Sequence, residues 1–267
     1  MKLVDVHCHL NHKQFSQDLD AVIHRARSAG VIRIICAGVN PATNREVLEL
    51  AKKYPDIMRC SLGVYPIDAL NIQIFSPDEM GLSHTPKFDL NDELAFIKKN
   101  KEHIIAVGEA GLDYKWDEPK KQAQQQKENF MRVIELCEHI KKPLVVHSRR
   151  AEADCLELLE SSRLRQVDLH CFEGNKKLIK KAVDLGFYFS IPPVIKKLQH
   201  FETLVKTVPI NHLLTETDAP WLSGVVGMRN EPANVADTVK KIAELKGFAD
   251  EETAGSILLN YKNLFGD

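Results

Sequence analysis

Short, almost uninterrupted apolar runs alternate along the chain with longer stretches whose apolar positions recur every three to four residues. The runs lie at residues 3–6, 32–37, 58–64, 104–109, 143–147, 167–171, 187–191 and 212–216, and most are near-continuously apolar. Continuous rather than alternating apolarity predicts strands covered on both faces, as in a parallel sheet. Between them, residues 18–29 put Leu19, Val22, Ile23 and Ala26 on one helical face, and 43–53 do the same with Val47, Leu48 and Ala51. The longest helical pattern, 120–140, carries Phe130, Val133, Ile134 and Cys137 at helical spacing. Further helices are predicted at 151–159, 176–185, 197–205 and 234–245, and a last one at 251–264 with Asp250 as its N-cap.

Eight strand–helix units in 267 residues predict an α/β fold, a closed (β/α)8 barrel of the TIM type. An open doubly wound sheet is the alternative. The absence of a Gly-rich turn after the first strand favours closure. No linker, repeat or low-complexity tract divides the chain, so residues 1–267 are expected to form a single domain. The exception to the regular pattern is 66–91, with Pro77, Gly81 and Pro86 and weak periodicity. It reads as a long loop between the third strand and its helix, either a surface insertion or a lid over a site.

Composition narrows the function classes. With 44% hydrophobic and 27% charged residues the chain can bury a sizeable core, which excludes disorder as its main state. Lys+Arg number 36 and Asp+Glu 37, a net charge of −1, so a globally basic nucleic-acid coat is excluded while a local basic patch is not. The six cysteines form no C-x-x-C pair and do not resemble a disulfide framework. They point to a reducing, cytoplasmic setting. No signal peptide or membrane span is expected. A monomer is compatible with the sequence, which leaves the oligomeric state open.

In a barrel of this kind the active site lies at the C-terminal ends of the strands. Those ends carry His7 and His9, Glu109, His147, His170, and Glu216 with Asp218. His7 and His9, two apart on a strand, point to the same face. Each residue alone is weak: a strand-end His is more often hydrogen-bonded scaffold, and a buried Glu an ion-pair partner. Their coincidence at the same end of five strands points to a metal. Six candidate ligands, His7, His9, Glu109, His147, His170 and Asp218, exceed what one zinc needs and suit two divalent ions bridged by a carboxylate. Zinc, manganese and magnesium all remain open. Two such ions activate water and stabilise a displacement.

The motifs Val4-Asp5-Val6-His7-Cys8-His9-Leu10, Val107-Gly108-Glu109-Ala110-Gly111-Leu112-Asp113-Tyr114, Val146-His147-Ser148-Arg149, His170-Cys171-Phe172-Glu173-Gly174, Thr215-Glu216-Thr217-Asp218-Ala219-Pro220-Trp221-Leu222 and Arg229-Asn230-Glu231-Pro232 occur in order. Together they resemble the TatD-like metal-dependent hydrolases. The resemblance implies a TIM-type barrel with a divalent-metal hydrolase activity, usually that of a deoxyribonuclease. It implies that His7, His9, Glu109 and Asp218 hold one ion and Glu109, His147 and His170 the other, with Glu109 bridging and catalytic. Asp218 would also orient or deprotonate the attacking water. Glu216 would support the site as a water organiser or a ligand to an additional ion.

The chain departs from the family where His-Pro-His often follows the third strand: here the run is Gly63-Val64-Tyr65-Pro66-Ile67. Tyr65 is expected either to hydrogen-bond a phosphate or leaving group or to pack in the loop. Arg149 is expected to fork onto a phosphate, or else to pair with Glu152, Asp154 or Glu173. Arg229, Asn230 and Glu231 are expected to reach the same rim, with a helix-entry cap as the alternative. Lys115 beside Trp116 is weak support for a nucleic-acid contact, and the lysines at 176, 177, 180 and 181 read as a solvated helix face.

The leading functional expectation is metal-dependent hydrolysis of single-stranded DNA, in particular as a 3′–5′ exonuclease. One alternative keeps the metals and changes the bond: a deacylase or amidohydrolase, for example one acting on D-aminoacyl-tRNA. A second alternative is a non-catalytic metal-binding barrel.

Overall fold

The computed structural model describes residues 1–71, 86–117 and 120–267. Its eight strands are β1 (Leu3–Cys8), β2 (Val31–Ala37), β3 (Met58–Leu62), β4 (Ala106–Asp113), β5 (Leu144–Arg149), β6 (Val167–His170), β7 (Tyr188–Ile191) and β8 (Leu213–Thr215). They pair in parallel in sequence order. The helices are α1 (Leu19–Ser28), α2 (Pro41–Lys53), α3 (Leu90–Lys99), α4 (Ala123–Ile140), α5 (Glu152–Glu160), α6 (Lys176–Asp184), α7 (Gln199–Thr207), α8 (Val235–Lys246) and α9 (Asp250–Phe265). This is the (β/α)8 barrel expected from the alternating pattern.

The seam between β8 and β1 uses side chains as well as backbone. Thr215 Oγ1 donates to the Val4 carbonyl at 2.7 Å, and the Asp218 amide donates to that of His7 at 2.8 Å. Asp5 accepts from the Thr217 amide at 2.9 Å and from its hydroxyl at 2.6 Å. These bonds bring β8 against β1 and nearly close the barrel. They also set the residues after β8 beside the histidines that end β1.

Apolar strand residues such as Val4, Val6, Ile34, Val107, Val146 and Leu169 are buried, as are Phe130, Leu156, Ile179 and Ile242 on the helices. Helix starts follow local chemistry. Asn40 caps α2 by accepting from the Thr43 amide at 3.0 Å while Thr43 Oγ1 accepts from the Asn40 amide at 3.0 Å, and Pro41 occupies the first turn.

Three expectations need correction or remain outside the described residues. Helix α3 begins at Leu90, inside the segment read as loop, because Asp89 accepts from the Asn91 amide at 2.7 Å and starts it. Asp250 is the first residue of α9 rather than its cap; Ala249 takes the cap position. The expected insertion 66–91 is described only at its ends, since residues 72–85 lie outside the described residues. At those ends Asn71 bonds both the carbonyl and the amide of Phe88, at 3.2 and 2.9 Å.

Candidate metal centre

Strand alternation delivers the first ligands. On β1, Asp5 and His7 share a face, and His9 continues it just past the strand end. His7 Nε2 lies 3.1 Å from His9 Nε2, 3.3 Å from Glu109 Oε2 and 3.5 Å from Asp218 Oδ1. His9 Nε2 lies 3.5 and 3.4 Å from the same two oxygens. A tetrahedral ion bound at about 2.0–2.2 Å needs donors separated by about 3.3–3.6 Å. The separations among His7, His9 and Asp218, and those from Glu109 to the two histidines, fall close to that range.

The backbone is shaped to bring them there. Asp218 has φ of 53°, a left-handed conformation uncommon outside glycine, in the turn that follows β8. On β4, a Cβ at Gly111 would be driven into the His147 carbonyl, so only glycine lets β4 approach the strand carrying the next histidine this closely.

The second half of the centre surrounds Glu109 Oε1. His147 Nδ1 lies 2.6 Å from it and His170 Nε2 4.0 Å. The His7 and His170 rings stack with centroids 3.8 Å apart. Among the described residues two groups of donor atoms are close enough to share an ion, His7 with His9 and Asp218, and His7 with Glu109 and His170. His147 belongs to neither group, although its Nδ1 contacts the carboxylate common to the centre.

Each of three rings is oriented by a bond from its other nitrogen. His9 Nδ1 meets the Ala37 carbonyl at 3.1 Å, His147 Nε2 meets Asp113 Oδ2 at 2.9 Å, and His170 Nδ1 meets Glu216 Oε2 at 2.7 Å. In a neutral ring, donation from those nitrogens would leave the opposite one as a lone pair directed into the site, the arrangement of metal-binding histidines.

The charges are strongly coupled to burial. Burial alone would disfavour a charged His7, but Asp218 and Glu109 outweigh it and push its pKa well above the usual value. The same opposition raises His9 to about 9. Burial likewise disfavours charge on His147, and Asp113 and Glu109 raise its pKa to about 9. Burial would raise the pKa of Glu109 and Asp218, yet the neighbouring imidazoles hold both below the usual carboxylate range. The anionic pair thus draws positive charge to this point, as protons on the rings or as a divalent cation.

A cavity of about 210 Å³ opens over the centre, and Tyr65, Lys115, Arg149, Trp221 and Leu222 help line it. Arg149 stands at this cavity, with Nε 3.7 Å from Asp113 Oδ2. Tyr65 also borders the cavity, but its hydroxyl donates to Asp113 at 2.6 Å. Glu216 is fully buried beneath His170, where it also accepts from Ser190 Oγ at 2.7 Å and the Cys171 amide at 3.0 Å. Its position is that of a support for the histidine; it is absent from the donor groups that converge.

The structure places Arg229, Asn230 and Glu231 away from the cavity lining. Arg229 pairs with Asp18 at 2.6 Å and stacks over Phe15. Glu231 pairs with Arg25 at 2.6 Å. Asn230 is buried and donates to the Thr217 carbonyl at 2.7 Å while its own carbonyl oxygen accepts from Asn234. These three tie the segment after β8 to α1 and to the turn beneath Asp218; they do not line the cavity. Side chains that can form ion pairs nearby outcompete the rim position that chain order alone suggested.

Sequence reasoning gave no role to Asp113, to Lys115 as a cavity residue, or to Trp221, whose ring lies 5.4 Å from that of His9. A signal existed for Asp113. Glu109, Gly111 and Asp113 alternate along β4, so a face carrying one ligand also carries the carboxylate two steps on.

Comparison with known proteins agrees with the geometry. The family model described as TatD related DNase matches residues 4–266. The chain is 33% identical over 265 residues to the human protein named deoxyribonuclease TATDN3, covering 98% of this chain and 94% of that one. It is 33% identical over 271 residues to YabD of Bacillus subtilis, described as an uncharacterized metal-dependent hydrolase, covering 98% of each. The crystal structure of YJJV, a TatD homolog from Escherichia coli, superposes with a TM-score of 0.85 at 27% identity, over 99% of this chain and 98% of that one. A family match across nearly the whole chain, on a barrel whose strand ends gather histidines and carboxylates at cation-binding distances, shows that this chain belongs to the TatD-related deoxyribonuclease family of metal-dependent hydrolases.

Proposed function

We propose that the chain is a two-metal phosphodiesterase acting on single-stranded DNA, removing nucleotides from the 3′ end. The observation that carries this reading is the convergence of His7 with His9 and Asp218 and of His7 with Glu109 and His170, with His147 Nδ1 2.6 Å from Glu109 Oε1. His7, His9, Glu109 and Asp218 would hold one ion; Glu109, His147 and His170 would hold the other. Zinc, manganese and magnesium each suit part of this mixed nitrogen and oxygen set. Bound divalent ions supply an acidified water and offset negative charge on the phosphate.

The protein's own groups do the rest. Asp218 turns Oδ1 toward His7 and His9 and leaves its second oxygen to take a proton from the attacking water. Arg149 and Lys115 offer charge-assisted hydrogen bonds to phosphate oxygens at the cavity. Trp221 offers an aromatic face on which a terminal base can stack. A cavity of about 210 Å³ favours a strand end over the interior of a duplex.

On this reading residues 1–267 work as one hydrolase unit. Six unpaired cysteines favour a reducing, cytoplasmic setting. Among the described residues no helix is long and apolar enough to cross a membrane.

The test is digestion of single-stranded oligonucleotides labelled at the 3′ or the 5′ end, with magnesium, manganese or zinc, and with EDTA and Asp218→Ala as controls. Stepwise loss from the 3′ end that requires both metal and Asp218 is expected. Absence of cleavage by protein with both ions bound would overturn the nuclease reading. Turnover of a D-aminoacyl-tRNA by that same protein would move the assignment to ester hydrolysis.

A further inference from the structure

Tyr65 stands beside the metal centre without facing it through its hydroxyl. The residue follows β3, and its amide donates to the Val39 carbonyl at 2.7 Å. Its ring packs with Val39 and Ile67 and stands edge-on to His147, with centroids 5.1 Å apart and planes at 74°. The phenolic proton goes to Asp113 Oδ2 at 2.6 Å. That same oxygen meets His147 Nε2 at 2.9 Å, and the opposite nitrogen of His147 reaches Glu109 Oε1 at 2.6 Å. A continuous line of polar contacts therefore runs from Tyr65 through Asp113 and His147 to the carboxylate at the middle of the centre.

Asp113 is a rigid relay in this line. It is fully buried, and its amide donates to Gln126 Oε1 at 2.8 Å while Gln126 Nε2 donates to its carbonyl at 3.0 Å. Its other oxygen, Oδ1, accepts from the Lys115 amide at 2.9 Å. With the backbone and Oδ1 held, Tyr65 at 2.6 Å, His147 at 2.9 Å and Arg149 Nε at 3.7 Å act on Oδ2. Tyr65 thus fixes where that oxygen lies, and the oxygen fixes the rotation of the imidazole.

We propose that Tyr65 is a positioning residue for the β4–β6 half of the metal centre. Through Asp113 it holds His147 with Nδ1 toward Glu109, and so it sets the affinity of the second ion. The proposal rests on the two-metal reading above. It differs from the expectation that the Tyr65 hydroxyl contacts the substrate phosphate. A phosphate contact would be read in KM; control of the second ion is read in metal binding with no substrate present. Loss of a partner that orients a metal-binding histidine lowers affinity about 10- to 100-fold.

The experiment is titration of the metal-free full-length protein with Mn²⁺, followed by calorimetry and by electron paramagnetic resonance, for wild type, Tyr65→Phe and Asp113→Asn. The wild type is expected to bind two ions and show the spectrum of a coupled pair. Tyr65→Phe is expected to keep the first affinity, to bind the second ion about 10- to 100-fold more weakly, and to show the spectrum of an isolated ion at one equivalent. Its kcat should recover at saturating metal with KM unchanged, and Asp113→Asn should show the same selective loss. Unchanged affinity for both ions in Tyr65→Phe, with a raised KM, would overturn the proposal in favour of a substrate contact. Equal weakening of both ions would overturn it in favour of a general structural role. A wild type that binds a single ion would instead remove the two-metal reading, and the proposal with it.

Discussion

Glu216 accepts a hydrogen bond from His170 Nδ1 at 2.7 Å and has no exposed surface. It sits where it orients the His170 ring, with Nε2 toward Glu109 at 4.0 Å. Ser190 Oγ at 2.7 Å and the Cys171 amide at 3.0 Å hold the carboxylate itself. Glu216→Gln preserves the shape and removes the charge. Metal affinity should fall about 10- to 100-fold, measured as bound metal after dialysis at limiting concentration. Wild-type metal content in this variant would remove Glu216 from any role in the centre.

Asp218 and His9 should separate proton handling from metal holding. Asp218→Asn keeps an oxygen near the site but cannot accept the water's proton, so kcat should drop about 10²–10⁴-fold. His9→Ala should chiefly lower metal content. In both, circular dichroism should match wild type, because the apolar core lies below the rim. Wild-type turnover in either variant under limiting metal would contradict the proposed ligand set.

Arg149 borders the cavity, with Nε 3.7 Å from Asp113 Oδ2. Arg149→Ala should raise KM for single-stranded DNA with little change in kcat. The slope of log affinity against log salt should shrink by about 0.7, the value for one phosphate contact on a single strand. An unaltered slope would show that Arg149 makes no phosphate contact.

Metal binding should strengthen as pH rises through about 9. In the metal-free protein the His9 and His147 pKa values are raised from the usual 6.5 to about 9, because carboxylates outweigh burial. At neutral pH these rings carry protons that a cation must displace. Affinity should therefore climb with pH from 6.5 upward and flatten above about 9, with proton release seen as a buffer-dependent calorimetric heat. The same protons stabilise the metal-free fold. That contribution is fully present below 6.5 and is lost as pH passes about 9.

Asn230 should matter for stability and not for substrate. Asn230→Ala leaves the Thr217 carbonyl without its 2.7 Å donor in a buried turn. Its cost should be about 1–3 kcal/mol, read from urea unfolding. Arg229→Ala breaks a partly exposed pair with Asp18, for which less than about 1 kcal/mol is expected. KM should stay at the wild-type value in both variants; a rise in KM would return these residues to the rim.

Much of the fold and the metal centre is legible in the sequence because both follow from periodicity. Near-continuously apolar runs mark buried parallel strands, and the period of two places His7 and His9 on one face. Helix α3 was hidden because its start lies in a segment of weak periodicity, and Asp89 is the local cap that marks it. The roles of Asp113, Arg229 and Tyr65 were not legible for another reason. Each depends on a partner distant in sequence: His147 for Asp113, Asp18 for Arg229, and Asp113 for Tyr65.

The sequence by itself determined the alternation of elements, the barrel, and the inventory of histidines and carboxylates at the strand ends, since backbone periodicity fixes which residues share a face and an end. Only the tertiary structure decided which of those groups touch and through which atoms. It turned Glu216 under His170 and drew Arg229 off to Asp18. It also directed the Tyr65 hydroxyl to Asp113. The physical reason is that a buried polar atom takes the best partner within about 3 Å, and that partner is chosen by the closure of the barrel.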